Sequence, residues 1–314
     1  MIGKHFGYDC NAIKTFLVVK SEHLARAKEL FKGTGVKIVE GHRNLGGLVG
    51  SSEFKEEAAN KKVSEWVEQI QLLSKIAQTQ PHAAMAAFTH ALQHQWTHFM
   101  RTTGGLHETL APLEQAIREK FIPALLDVES ITDKERVIFA LPARHGGLGL
   151  SNPMRDARHR HTDSKTLSNV LQEKIISQHP HLDFDADEHN TKIRAIRKRW
   201  EQIHTNRRIE VSRDDEELQQ TLAFACEKGA SNVFSVIPLE KYGFAIKSKR
   251  DFRDLICLRY RKQVKGLPTL CVCGKDYSLD HSQTCPRGGF IYMRHDQPKE
   301  AFARMAKKIG RAHV

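Results

Sequence analysis

The segment Cys271-Val-Cys-Gly-Lys-Asp-Tyr-Ser-Leu-Asp-His-Ser-Gln-Thr-Cys285 carries the metal chemistry of this sequence. Thiolate and imidazole are the ligands zinc prefers, and four of them close a tetrahedral structural site with no open position. Cys271, Cys273, His281 and Cys285 form the candidate ligand set. Cys271 and Cys273 fit a tight turn eased by Gly274, and a small hairpin around Asp276 to Ser278 would lead to His281. His281 and Cys285 lie four apart, so one helical turn aims both side chains at the same point. The Cys-x-Cys pair is tighter than the spacing of ordinary zinc knuckles and strains a shared site without forbidding it. So small a unit needs its metal in order to fold.

Other chemistry is hard to find. Neither Gly-x-Ser-x-Gly nor His-Glu-x-x-His occurs, and the 18 histidines are scattered, so no nucleophile–base pair stands out. The glycine-rich stretch Leu141 to Pro153 lacks the strand–loop–helix context and the Lys-Ser/Thr of a phosphate loop, and reads as a structural turn. Asp183, Asp185, Asp187 and Glu188 read as part of an exposed acidic linker and not as a cation site.

Lysine and arginine (49) outnumber aspartate and glutamate (37), giving a net charge of +12. That balance suits a polyanion such as RNA or DNA, because neutralising phosphates releases condensed counterions. The strongest basic run is a helix bearing Arg194, Arg197, Lys198, Arg207 and Arg208, a phosphate-contacting face or simply a solvated one. Clustered cysteines without a secretory leader imply metal in a reducing compartment, cytoplasmic or nuclear. No apolar run reaches the ~20 residues needed to span a bilayer.

The elements that must position these groups are mainly helical. Thr15 to Val19 reads as a buried strand, Ser21 as the cap of a helix through Phe31, and Val36 to Val39 as a strand pairing with Leu45 to Val49. Ala59, Val63, Trp66, Ile70, Leu73 and Ala77 then stripe a long helix. Pro81 opens a second, striped by Met85, Phe88, Leu92, Trp96 and Phe99. A third covers Leu110 to Leu126, and a short one Asp133 to Ala140. Residues 155–187 are polar, with a helix from Lys165 to Ser177. Further helices carry Ile193 to Ile203, Leu218 to Cys226 and Phe252 to Tyr260. With only 7% aromatic residues, several modest cores are expected in place of one large one.

In this order the pieces resemble the C-terminal half of a non-LTR-like retroelement reverse transcriptase. Gly7 to Lys20 looks like the palm segment after the catalytic Tyr-x-Asp-Asp, with Asn11 and Lys14 at the positions of the family's Asn and Lys. His42 to Gly50 looks like the hairpin that grips the primer end. Leu141 to Pro153 looks like the continuation of the thumb. Gly229-Ala-Ser-Asn, Pro238 to Phe244, Phe252-Arg-Asp to Leu-Arg-Tyr260, the Cys/His cluster, Gly-Gly-Phe290 and Arg294-His-Asp296 follow in the family's order. Asp296 stands where relatives carry Asn before a nuclease domain. Lys308-Ile-Gly-Arg-Ala-His-Val314 is similar to a translated sequencing adapter, so an artificial end is expected there.

The resemblance implies a mainly α protein with a small α+β remnant. Its parts are a palm remnant (1–50), a helical thumb (51–153), a His-rich linker with basic helices (154–228), a connector (229–268), a zinc knuckle (269–298) and a truncated tail (299–314). It implies a nucleic-acid-binding fragment of an RNA-directed DNA polymerase from a retrotransposon. Zinc would be its structural cofactor. Mg²⁺ is expected only in the full-length parent, because no Tyr-x-Asp-Asp occurs here. RNA and DNA are the expected partners, contacted through Lys14, the basic helix, Lys275, Tyr277 and Arg287, with no membrane and no small-molecule substrate. The alternatives are an active reverse transcriptase lacking its N-terminal half in the gene model, and a domesticated zinc-binding adaptor for proteins.

Overall fold

The computed structural model describes residues 11–178, 185–239, 246, 248–287 and 290–311. The protein is mainly helical, with a small remnant of two two-stranded sheets. It divides into two compact units, Met1–Arg261 and Lys262–Val314.

The strand pairing differs from the expected one. In the first unit β1 (Phe16–Val18) pairs in parallel with β2 (Lys37–Val39), with Phe16 opposite Lys37. The crossover between them carries α1 (Leu24–Leu30). β3 (Gly41–Asn44) pairs antiparallel with β4 (Gly47–Gly50) across a two-residue Leu45-Gly46 turn. A turn this short makes the local hairpin the nearest partner for β4, so β2 is left to β1. β1 is half exposed and not buried: among the described residues its sheet has two strands, and Phe16 stacks on His42 of β3. Ser21 does not cap α1; it opens a 3-10 turn that makes no side-chain capping bond.

Helix α2 (Ser52–Thr79) follows, capped by Ser51, whose hydroxyl accepts from the Phe54 amide. Its four-three stripe from Ala59 to Ala77 is buried along its whole length. Pro81 opens α3 (Pro81–Ala87), a π-helical turn spans Phe88–Leu92, and α4 (Gln93–Thr102) completes that rod. The next rod repeats the pattern: α5 (Ala111–Ala116), a π turn Ile117–Phe121, then α6 (Ile122–Leu126). Pro123 lacks the amide that would close a regular turn, and the widened turn before it absorbs that loss. Phe88 and Phe121, one from each π turn, stack at 4.9 Å. Trp66, Trp96 and Phe99 pack edge-on around them.

This is the centre of one connected core that runs from Leu48 to Ile256, not several small ones. The few aromatics suffice because they are concentrated there. Helix α7 (Asp133–Ala140) begins with a complete capping box at Thr132 and Glu135. Buried Arg136 grips Glu114 through two 2.7 Å bonds and donates to the Leu150 and Ser151 carbonyls. It thereby holds α5, α7 and the glycine-rich loop together.

That loop is a structural turn, as its sequence suggests. The Leu148 and Leu150 amides both bond to the Phe139 carbonyl. A Cβ on Gly147 would lie 2.0 Å from the Leu141 carbonyl oxygen, so no side chain fits.

Asn152 caps α8 (Pro153–Ile176), which starts far earlier than its polar sequence suggests. α9 (Ala186–Ser212) packs against it, followed by α10 (Glu216–Ala225), the single turn α11 (Asn232–Ser235) and α12 (Lys249–Arg259). In the second unit, α13 (Leu279–Thr284) and α14 (Phe290–Arg311) follow a small hairpin. No helix among the described residues is long and apolar enough to cross a membrane.

Candidate metal centre and basic surfaces

The second unit builds the Cys/His site from two local motifs. The first is a hairpin one turn earlier than expected, closing around Cys271 to Lys275. The Cys271 amide donates to the Lys275 carbonyl at 2.8 Å, and the Gly274 amide to the Cys271 carbonyl at 2.8 Å. Leu270 and Asp276 form the antiparallel bridge below the turn. Gly274 has φ +83°, a left-handed conformation that L side chains rarely adopt, so glycine suits the tip. This lets Cys271 and Cys273 face the same side despite their close spacing.

The second motif is α13. The Ser278 hydroxyl accepts from the His281 amide at 3.0 Å, and the Cys285 amide donates to the His281 carbonyl at 2.8 Å. One helical turn therefore presents His281 and Cys285 together, as their spacing suggests.

The four ligand atoms lie within 4.8 Å of one another. Cys271 Sγ and Cys285 Sγ are 3.6 Å apart, and Cys273 Sγ is 3.1 Å from His281 Nε2. A tetrahedral zinc, with bonds of about 2.3 Å to sulfur and about 2.0 Å to nitrogen, sets its ligand atoms about 3.5–3.8 Å apart. The donor set is one that zinc takes, and its separations, from 3.1 Å to no more than 4.8 Å, bracket that spacing. The Cys273 backbone amide favours the Cys271 thiolate. Burial and the adjacent Cys285 and Cys273 sulfurs outweigh it and push that thiol up. Packed sulfurs that resist ionising together are what a divalent cation relieves, since metal binding displaces their protons. Cys285 is buried, while Lys275 and Arg287 are exposed beside the site. Tyr277 is half buried, and its amide closes the hairpin onto the Thr269 carbonyl.

The basic helix α9 divides into two faces. Arg194, Arg197 and Lys198 are exposed and have no ion-pair partner among the described residues. Arg207 and Arg208 instead point into the first unit: Arg207 bonds Asp156 at 3.0 Å and Arg208 reaches Cys226 Sγ at 2.9 Å. Arg199 contacts Asp163, which also accepts from Trp200 Nε1. Burial pushes the pKa of His204 down to about 4, and Arg207, His145 and Arg144 add to this against the opposing charge of Asp156.

Lys14 is exposed on a 3-10 turn capped by Asn11, immediately before β1. The acidic cluster is largely a helix start: Asp185 caps α9, and Asp187 and Glu188 occupy its first turn, where the helix dipole favours negative charge. Asp183 lies outside the described residues.

Residues of the sequence motifs around α12 prove structural. Arg253 donates to carbonyls at the C-terminal ends of α2 and α6, including Ala124 at 3.1 Å and Gln78 at 3.3 Å. The Tyr260 hydroxyl donates to the Gly146 carbonyl at 2.9 Å, and Arg259 bonds the Ser231 hydroxyl at 2.8 Å. The sequence gives no sign of one further group, in which Arg101, Arg144 and Arg160 converge with Arg197 on a cavity beside Trp200. Arg160 lies in the part of α8 that reads as an irregular polar stretch.

No protein-family model, curated protein or solved structure matches this chain.

Proposed function

We propose that the chain is a nucleic-acid-binding segment of the non-LTR retroelement reverse-transcriptase type, held in its second unit by a structural zinc and without polymerase chemistry of its own. The Cys271/Cys273/His281/Cys285 quartet is the observation that carries this reading. It brings four zinc-type donors within 4.8 Å of one another, in a chain of net charge +12. Zinc there would supply only a cross-link, because four protein ligands leave no open position for substrate.

Binding falls to the exposed cations. Lys14, Arg194, Arg197, Lys198, Lys275 and Arg287 are all solvent-facing. They would contact backbone phosphates, with Tyr277 against an unpaired base. Arg207 and Arg208 would act indirectly, by fixing α9 against its neighbours. Two-metal polymerisation needs a cluster of palm carboxylates, and no Tyr-x-Asp-Asp occurs in these 314 residues.

Fluorescence anisotropy of labelled single-stranded RNA across a salt series tests the reading. Each neutralised phosphate on a single strand contributes a slope of about −0.7 in log K against log salt, so engagement of all six cations gives about −4. Absence of binding at low salt, or affinity indifferent to salt, overturns it.

A further inference from the structure

We propose that the cavity between α4, α8 and α9 is a site for the phosphate of a nucleotide. The proposal rests on the nucleic-acid reading above and deepens it. The cavity measures about 770 Å³, within the range of small-ligand sites. Arg101 enters it from α4, Arg160 from α8 and Arg197 from α9, with Arg144 from the loop after α7.

The charges around it do not balance. Asp163 is occupied by Arg199 and by Trp200 Nε1, which donates at 2.6 Å. Glu201 is occupied by Arg144 at 2.8 Å. His204, held well below its ordinary pKa, is neutral at pH 7. Arg101, Arg160 and Arg197 have no carboxylate partner among the described residues. Arg160 is the most exacting of the three. Its Nε is enclosed and has no hydrogen-bond partner. Its guanidinium lies 4.3 Å over the Trp200 ring. Burial disfavours its charge; Asp156, which forms no ion pair with it, offsets this in part, while Arg101 and Arg207 oppose it.

A sheltered guanidinium nitrogen without an acceptor is costly, and like charges beside it add to the cost. A tetrahedral phosphate relieves both, because it accepts from several planar guanidinium forks at once. Stacking on Trp200 fixes the fork of Arg160 before any ligand arrives. Leu167, Ile193 and Ile196 supply an apolar wall against which a sugar or base can lie. The phosphate can come from a strand or from a free nucleotide, and the test separates these sources.

The zinc-loaded full chain is titrated with pyrophosphate, adenosine monophosphate and labelled single-stranded RNA at fixed ionic strength. Arg197→Gln, an exposed change, and Arg160→Lys, which keeps charge but loses the fork, are compared with Lys75→Gln, an exposed change on α2 outside the cavity. Pyrophosphate is expected to bind wild type and Lys75→Gln alike, and both cavity variants about tenfold more weakly. Parallel losses in RNA affinity assign the phosphate to a strand. Cavity-dependent binding of pyrophosphate and the mononucleotide without RNA binding assigns it to free nucleotides; the site then stands and the nucleic-acid reading falls. RNA binding with no pyrophosphate binding, or with both cavity variants equal to wild type, overturns the site and leaves the nucleic-acid reading intact.

Discussion

Arg136 concentrates more of the first unit's stability than any surface charge. Both partners of its fork, Glu114 and the Leu150–Ser151 carbonyls, are sheltered, so removing it strands a carboxylate and two acceptors. Breaking a buried pair from one side costs about 3–5 kcal/mol. Arg136→Ala should lower the urea-unfolding free energy by that amount, and a change under about 1 kcal/mol would show the pair to be dispensable. The histidines make a separate prediction. His204 is depressed to about 4 in the folded chain, and burial also lowers His82 and His145. Between the unfolded value of 6.5 and about 4, the unfolded chain takes up protons that the folded chain refuses. Stability must therefore fall as pH drops through that window and level off above it. Melting temperatures at pH 5 and pH 7.5 check this, and His204→Gln should flatten part of the slope. These features were poorly legible in the sequence. An arginine or histidine is the same letter inside or outside, and only the neighbours that surround it decide which.

At the scale of elements, legibility followed periodicity. The stripe from Ala59 to Ala77 specified α2 because six apolar positions on one face leave no other regular solution. The quartet was legible for a similar reason, since the four-residue step from His281 to Cys285 is a helical turn whatever surrounds it. The first half of α8 does not read as a helix because its buried positions are Pro153, Asp156, Ala157 and Asp163, with Asp156 satisfied by Arg207 and Asp163 by Trp200. The hydrophobic pattern carries no trace of such a seam. The pattern of β2 and β4 lets the two pair with one another, and the two-residue turn instead gives β4 to β3 and leaves β2 to β1. The glycine-rich loop yields a sharp test. Gly147→Ala places a methyl against the Leu141 backbone, so it should disrupt the loop and reduce stability by several kcal/mol, of the order of severe core mutations. Thermal denaturation measures it, and a melting point within a degree of wild type would contradict the packing described.

At the scale of the whole molecule, two units divide the work in different ways. The first is held by a continuous aromatic and aliphatic core, with arginines closing its seams. The second, Lys262–Val314, has few buried apolar residues and places Cys285, one of the quartet, among them. A unit of that size and composition depends on a cross-link, and the proposed zinc is that link. The nucleic-acid reading needs it as well, because Lys275, Tyr277 and Arg287 keep their places only while the hairpin and α13 stay joined. Native mass spectrometry of the full chain, before and after chelation, is the most direct test. One zinc per chain is predicted, removed by chelation and absent from Cys285→Ser, with amide exchange in residues 269–285 rising when it leaves. A chain that carries no metal, and whose amides in that segment stay protected all the same, would contradict the account.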